Sequence, residues 1–131
     1  MKERKRVVIV TDGSEETSKM AKEISAALKS NEVTVKTAPD FLGNDLLPAD
    51  AFFLGCEKPN PGSFTYLEEF LKHVNLAGRP CGVFSPNPEK TVKYLAGLVK
   101  DSEAVLHPES IFAGSGADLK KWANSVVSGS F

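Results

Sequence analysis

No apolar run in this chain approaches the roughly 20 residues a membrane-spanning helix needs, so no membrane partner is expected. The basic lead-in Lys2 to Arg6 precedes an apolar run that Thr11 and Asp12 stop after four residues, too short for a secretory leader, and a cytoplasmic protein is expected. Charge is not in surplus: 16 Lys and Arg stand against 17 Asp and Glu, for a formal net charge of -1. Nothing in that balance points to nucleic acid. Cysteine is scarce, with 2 in the chain, and neither lies in a redox pair or a metal-ligand spacing. His73 and His107 stand without a constellation around them, so no metal is expected. Nucleophile-elbow, Walker and six-residue glycine fingerprints are all missing, as are internal repeats and low-complexity segments.

What is present is organised around Val7 to Thr17. Four consecutive β-branched residues, Val7-Val8-Ile9-Val10, run straight into small, polar and helix-capping residues, which predicts a buried strand turning directly into a helix. Met20, Ala21, Ile24, Ala27 and Leu28 recur at the spacing of one helical face, while Lys19, Lys22, Glu23 and Lys29 point elsewhere. Strand, tight loop and helix open a βαβ unit. The length of 131 residues suits a single domain over 1–131.

Strand and helix signals then alternate. Glu32 to Thr37 alternates apolar with polar, as expected of an edge strand with one wet face. Residues 38–50 read as loop with at most one short helical turn. Ala51-Phe52-Phe53-Leu54-Gly55 is continuously apolar, the mark of a central strand. A turn-rich loop from Cys56 to Ser63 leads to a helix carrying Tyr66, Leu67, Phe70, Leu71 and Val74. A fourth strand follows at Pro80 to Ser85, then a helix with Val92, Leu95, Ala96 and Val99, a short fifth strand at Glu103 to Leu106, and a last helix from Ala117 to Val127. This alternation predicts parallel βαβ units and an α/β fold: a doubly wound three-layer α/β/α sandwich with a five-stranded parallel sheet in the order 2-1-3-4-5. Cys56 and Cys81 then lie at opposite ends of neighbouring strands. At about 3.3 Å per residue they are too far apart for a disulfide.

Ligands of such sheets bind beyond the strand C-termini where the order reverses, here between the loops after strands one and three. A helix beginning near Ser14 aims unpaired amides and the positive end of its dipole into that loop, which suits a phosphate. The same residues also allow a plainer reading, in which Ser14 is an N-cap and Glu15 and Glu16 point to solvent.

The loop Thr11-Asp12-Gly13-Ser14-Glu15-Glu16-Thr17, the apolar third strand with its proline-bearing loop, and the passage from Phe70-Leu71 through Leu76-Ala77-Gly78-Arg79-Pro80 to Val83-Phe84 together resemble the flavodoxin family across nearly the whole chain. The resemblance implies a flavodoxin-like electron carrier that binds FMN non-covalently and passes electrons between redox partner proteins as a monomer. It implies that Thr11 to Thr17 hold the phosphate. Cys56, Glu57, Lys58, Pro59 and Phe64 would flank the flavin, with Phe64 stacking on the ring, and Ser85, Pro86 and Asn87 would close the other side. The loop departs from the family pattern in being acidic and one residue longer, and the loop after strand four lacks an aromatic. The competing class is an interaction or regulatory module that kept the fold and lost FMN. A receiver domain fits poorly, because Gly55-Cys56 stands where strand three would need an acidic residue.

Overall fold

The computed structural model describes residues 5–40, 46, 48–87, 90–112 and 118–129. Among the described residues six strands and four α-helices follow one another: β1 (Arg6–Thr11), α1 (Glu15–Ala27), β2 (Glu32–Thr37), β3 (Ala51–Gly55), α2 (Thr65–His73), β4 (Pro80–Ser85), α3 (Lys90–Asp101), β5 (Val105–Leu106), β6 (Ile111–Phe112) and α4 (Leu119–Ser128). All pairings are parallel and the order is β2-β1-β3-β4-β5, with β6 also on β4. This is the doubly wound parallel order predicted from the alternation of signals. Between β2 and β3 the described residues show a 3-10 turn at Ala38–Asp40 and a helical Leu46; the expectation of a loop over 38–50 falls in part on residues 41–45 and 47, outside those described.

The strands are apolar in succession because each face of the sheet carries a core. Val7 and Ile9 point to the face covered by α1 and α4, where Ala51, Phe53, Phe84, Ile24 and Trp122 pack. Val8 and Val10 point to the other face, with Phe52, Leu54, Leu67, Leu71, Leu95 and Val99. Each fully buried Leu or Phe contributes about 1.5–3 kcal/mol, so this two-sided burial, rather than helix propensity, holds the layers together. Gly55 of β3 lies opposite Phe84 of the neighbouring strand β4, whose ring lies over it. A Cβ there would sit 2.3 Å from the Phe84 ring, so no larger residue fits.

Two expectations are corrected. The fifth strand does not run from Glu103 to Leu106. Glu103 adopts a left-handed φ of 66° to leave α3, so the strand begins at Val105. A second segment, β6, then meets β4 at its other end (Phe84↔Ile111, against Pro80↔Val105). The intervening Pro108 has no amide to give a ladder, which accounts for the break. Around the helix that starts at Thr65, the roles of Phe64 and Tyr66 are exchanged. Phe64 lies in the preceding 3-10 turn (Gly62–Phe64) and is fully buried, whereas Tyr66 is 49% exposed. Positions 64, 67 and 71 make the inward stripe.

Candidate functional site

β1 and β3 end side by side, Thr11 opposite Gly55, and the order of the sheet reverses there. The turn from β1 into α1 takes three residues, which Gly13 permits by adopting a left-handed φ of 82°. Local side chains hold this turn. The Gly13 amide donates to Thr11 Oγ1 (3.2 Å) and the Ser14 amide to Asp12 Oδ1 (3.0 Å). Ser14 occupies the N-cap position of α1 but its oxygen accepts no capping bond, while its hydroxyl donates to that of buried Thr17 (2.7 Å). The first-turn amides of α1 therefore have no side-chain acceptor, and the helix presents an open anion-attracting end. Glu15 and Glu16 lie exposed beside it.

Asp12 also reaches across the crevice. Its second oxygen, Oδ2, accepts from the Glu57 amide at 2.8 Å, so one carboxylate joins the loop after β1 to the loop after β3. The β3 loop is tied on its other side as well. Ser85 Oγ donates to the Cys56 carbonyl (2.7 Å), Asn87 Nδ2 to the Glu57 carbonyl (2.8 Å), and Thr91 Oγ1 to the same carbonyl (3.4 Å). The structure thus brings together Thr11, Asp12, Gly13, Ser14, Thr17, Cys56, Glu57, Ser85 and Asn87. Pro86 is half-buried beside Ser85, while Lys58 and Pro59 are exposed further along the loop. Phe64 does not join them: it is sealed in the core against Tyr94 and offers no face to a ligand. Thr91 was not singled out by the sequence, although a hydroxyl in the first turn of α3, just past the β4 loop, is placed to reach it.

The cluster is acidic and chemically quiet. Burial, reinforced by the Asp12 charge, pushes the Cys56 thiol up to about 12. The Tyr94 phenol is likewise raised, first by burial and then by its hydrogen bond to Glu68. At neutral pH neither is a nucleophile.

An FMN phosphate fits one half of this arrangement. A helix end with uncapped amides, flanked by Thr11, Ser14 and Thr17, is the right donor set for it, opposed by Asp12, Glu15 and Glu16. The ring half fits less well. The loops that would flank a flavin are already bonded to one another, and neither loop turns an aromatic outward among the described residues.

A second polar cluster lies at the break between β5 and β6. Buried His107 stands 3.0 Å from Ser125 Oγ through Nε2, while its Nδ1 accepts from the Glu109 amide at 3.0 Å. With Nδ1 accepting, the neutral ring carries its proton on Nε2 and donates to Ser125. That polarity is the reverse of what activates a serine. Trp122 Nε1 donates to the Glu109 carbonyl beside it (2.9 Å), completing a structural clasp.

No protein-family model and no curated protein matches the chain. Solved structures do. A flavodoxin from Streptococcus pneumoniae TIGR4 is 18% identical, with a TM-score of 0.77 over 94% of this chain and 97% of that one. A short-chain flavodoxin associated with a non-canonical PDU bacterial microcompartment is 15% identical, with a TM-score of 0.78 over 97% and 96%. The rubredoxin oxygen:oxidoreductase of Desulfovibrio gigas is 16% identical, with a TM-score of 0.71 over 94% of this chain but 35% of that larger one. At these identities the likeness shows the fold, a flavodoxin-like domain.

Proposed function

We infer that this chain is a flavodoxin-like electron carrier that takes FMN non-covalently at the ends of β1 and β3 and passes electrons between cytoplasmic partner proteins. The observation that carries this reading is the uncapped start of α1 at the strand-order reversal, in a sheet with the flavodoxin order. In it, Thr11, Gly13, Ser14 and Thr17 receive the phosphate through hydroxyls and amides. Cys56, Glu57, Lys58 and Pro59 border one edge of the flavin, and Ser85, Pro86 and Asn87 the other. FMN supplies the redox chemistry when bound, and the chain supplies position and an acidic field. In this reading the protein acts as a carrier rather than as an enzyme with its own substrate.

Titration of the protein with FMN and with riboflavin, followed by flavin absorption and fluorescence, tests this. FMN is expected to bind and riboflavin to bind more weakly. Repulsion between exposed charges is about 1 kcal/mol per pair at contact in water, so Glu16→Gln should tighten FMN about fivefold, with the gain shrinking in salt. Riboflavin should not respond. Absence of any flavin band, or an equal gain for riboflavin, overturns the phosphate site.

The second reading, a module without FMN, has one specific observation in its favour: Asp12, Ser85 and Asn87 already satisfy the polar groups of the β3 loop that a flavin would meet. It is the conclusion to draw if neither flavin binds.

A further inference from the structure

β2 closes one side of the sheet, and among the described residues no backbone group pairs with its outer edge. Successive residues of a strand turn their N–H and C=O to opposite sides. The Glu32 amide donates to the Lys5 carbonyl (2.9 Å), so Glu32, Thr34 and Lys36 address β1. Val33, Val35 and Thr37 therefore aim their amides and carbonyls outward. Side chains along this edge are also open: Glu32 and Thr34 are exposed, and Val35 is 46% exposed. An unpaired edge of six residues is a template for another strand.

We propose that this edge is the interface with a second copy of the chain, the two β2 strands pairing antiparallel about a two-fold axis through Thr34. Antiparallel pairing sets outward-facing residues opposite outward-facing ones, which restricts the register to steps of two. Centred on Thr34, Val33 of each copy exchanges backbone hydrogen bonds with Val35 of the other. Glu32 then lies opposite Lys36 of the second copy, twice over by symmetry. Moving one step either way centres the pair on Val33 or Val35, sets Glu32 or Lys36 against Thr34, and loses both charge pairs. The pattern Glu-Val-Thr-Val-Lys is thus self-complementary in one register. Lys36 has no ion pair among the described residues, and the only one Glu32 makes, with Arg6 at 3.7 Å, is exposed and weak. Two such charge pairs and a short run of strand make a small interface, so the dimer is weak and concentration-dependent. The two-fold axis reverses strand direction, which leaves the two candidate flavin sites at opposite ends of the joined sheet and unobstructed.

Sedimentation velocity over a range of concentrations tests this with wild type, Glu32→Lys and Lys36→Glu. Wild type should show a monomer–dimer equilibrium. Each variant places like charges opposite each other at both ends of the strand and should weaken the dimer roughly tenfold or more. An equimolar mixture of the two variants should dimerise again, because one is positive at both ends and the other negative at both. The wild-type protein offers an independent reading by NMR: the amides of Val33 and Val35 should move with concentration while that of Val105, at the far edge, stays put. A wild type that remains monomeric at its highest soluble concentration overturns the proposal, as does a dimer indifferent to both substitutions and to mixing.

Discussion

Replacing Asp12 by Asn should lower stability and raise FMN affinity at once. The carboxylate accepts from two amides, Ser14 at 3.0 Å and Glu57 at 2.8 Å. Asn is isosteric but can offer its carbonyl oxygen to only one of them, and its NH2 then faces the other N–H. A hydrogen bond to a charged group is worth roughly 1.5–3 kcal/mol and a neutral one roughly 0.5–1.5, so one bond is downgraded and the other lost. Because Asp12 and Glu57 are only half-buried, water relieves part of the loss. About 2 kcal/mol remains, or about 6–10 °C in Tm for a chain of this size. Thermal and urea unfolding followed by circular dichroism measure it. The same change removes a negative charge from the crevice and should tighten FMN severalfold, by the Coulomb argument applied to Glu16. An unchanged Tm refutes the bridge between the two loops. A lowered Tm with unchanged FMN affinity places the phosphate elsewhere.

Two glycines should respond with opposite signs. Gly55→Ala drives a methyl into the Phe84 ring at 2.3 Å and should cost at least about 1–3 kcal/mol, whereas Gly97→Ala, in α3 with nothing within 4 Å, should stabilise by about 0.5–1 kcal/mol. Urea denaturation of the pair checks both. Stability should also fall in alkali: Cys56, Cys81 and Tyr94 all have their acidity weakened by burial, so the folded state holds their protons more tightly than the unfolded state. That contribution is complete below the ordinary thiol value of 9.0 and is lost as pH rises through about 12 for Cys56. A Tm that is flat to pH 9 and then declines, with both thiols silent to a thiol reagent until unfolding, is the expected result.

Local signals carried most of the architecture. β-branched runs, the alternation of Glu32 to Thr37 and the apolar block Ala51 to Gly55 are visible because each reports its own burial, and together they imply the strand order. What misled lay between elements. The family resemblance puts Phe64 on the ligand side, yet its spacing to Leu67 and Leu71 matches the inward stripe once the 3-10 turn continues into α2. The split of the fifth strand leaves no signal in the sequence, because two-residue segments have no periodicity to read. Asp12 was legible as an acid beside a candidate phosphate loop. Its bond to Glu57, 45 residues away, was not, since only the register of β1 against β3 brings the two together.

The central position of β1 also sets an order of events in time. As the chain is synthesised, β1 is made before either of its neighbours, and its partner β3 follows some 40 residues after it, so no stable sheet precedes the arrival of Phe52 and Phe53. Even then the α1-side core stays open: Phe53 and Phe84 are sealed by Trp122, Ala123 and Val126 of α4, the last of the described helices in chain order. A nascent chain that has already formed β4 therefore still shows the solvent a large aromatic face. Parallel sheets closed by late, distant segments fold slowly and expose aggregation-prone surface while they wait. That exposed face is covered when Trp122 settles against Phe53.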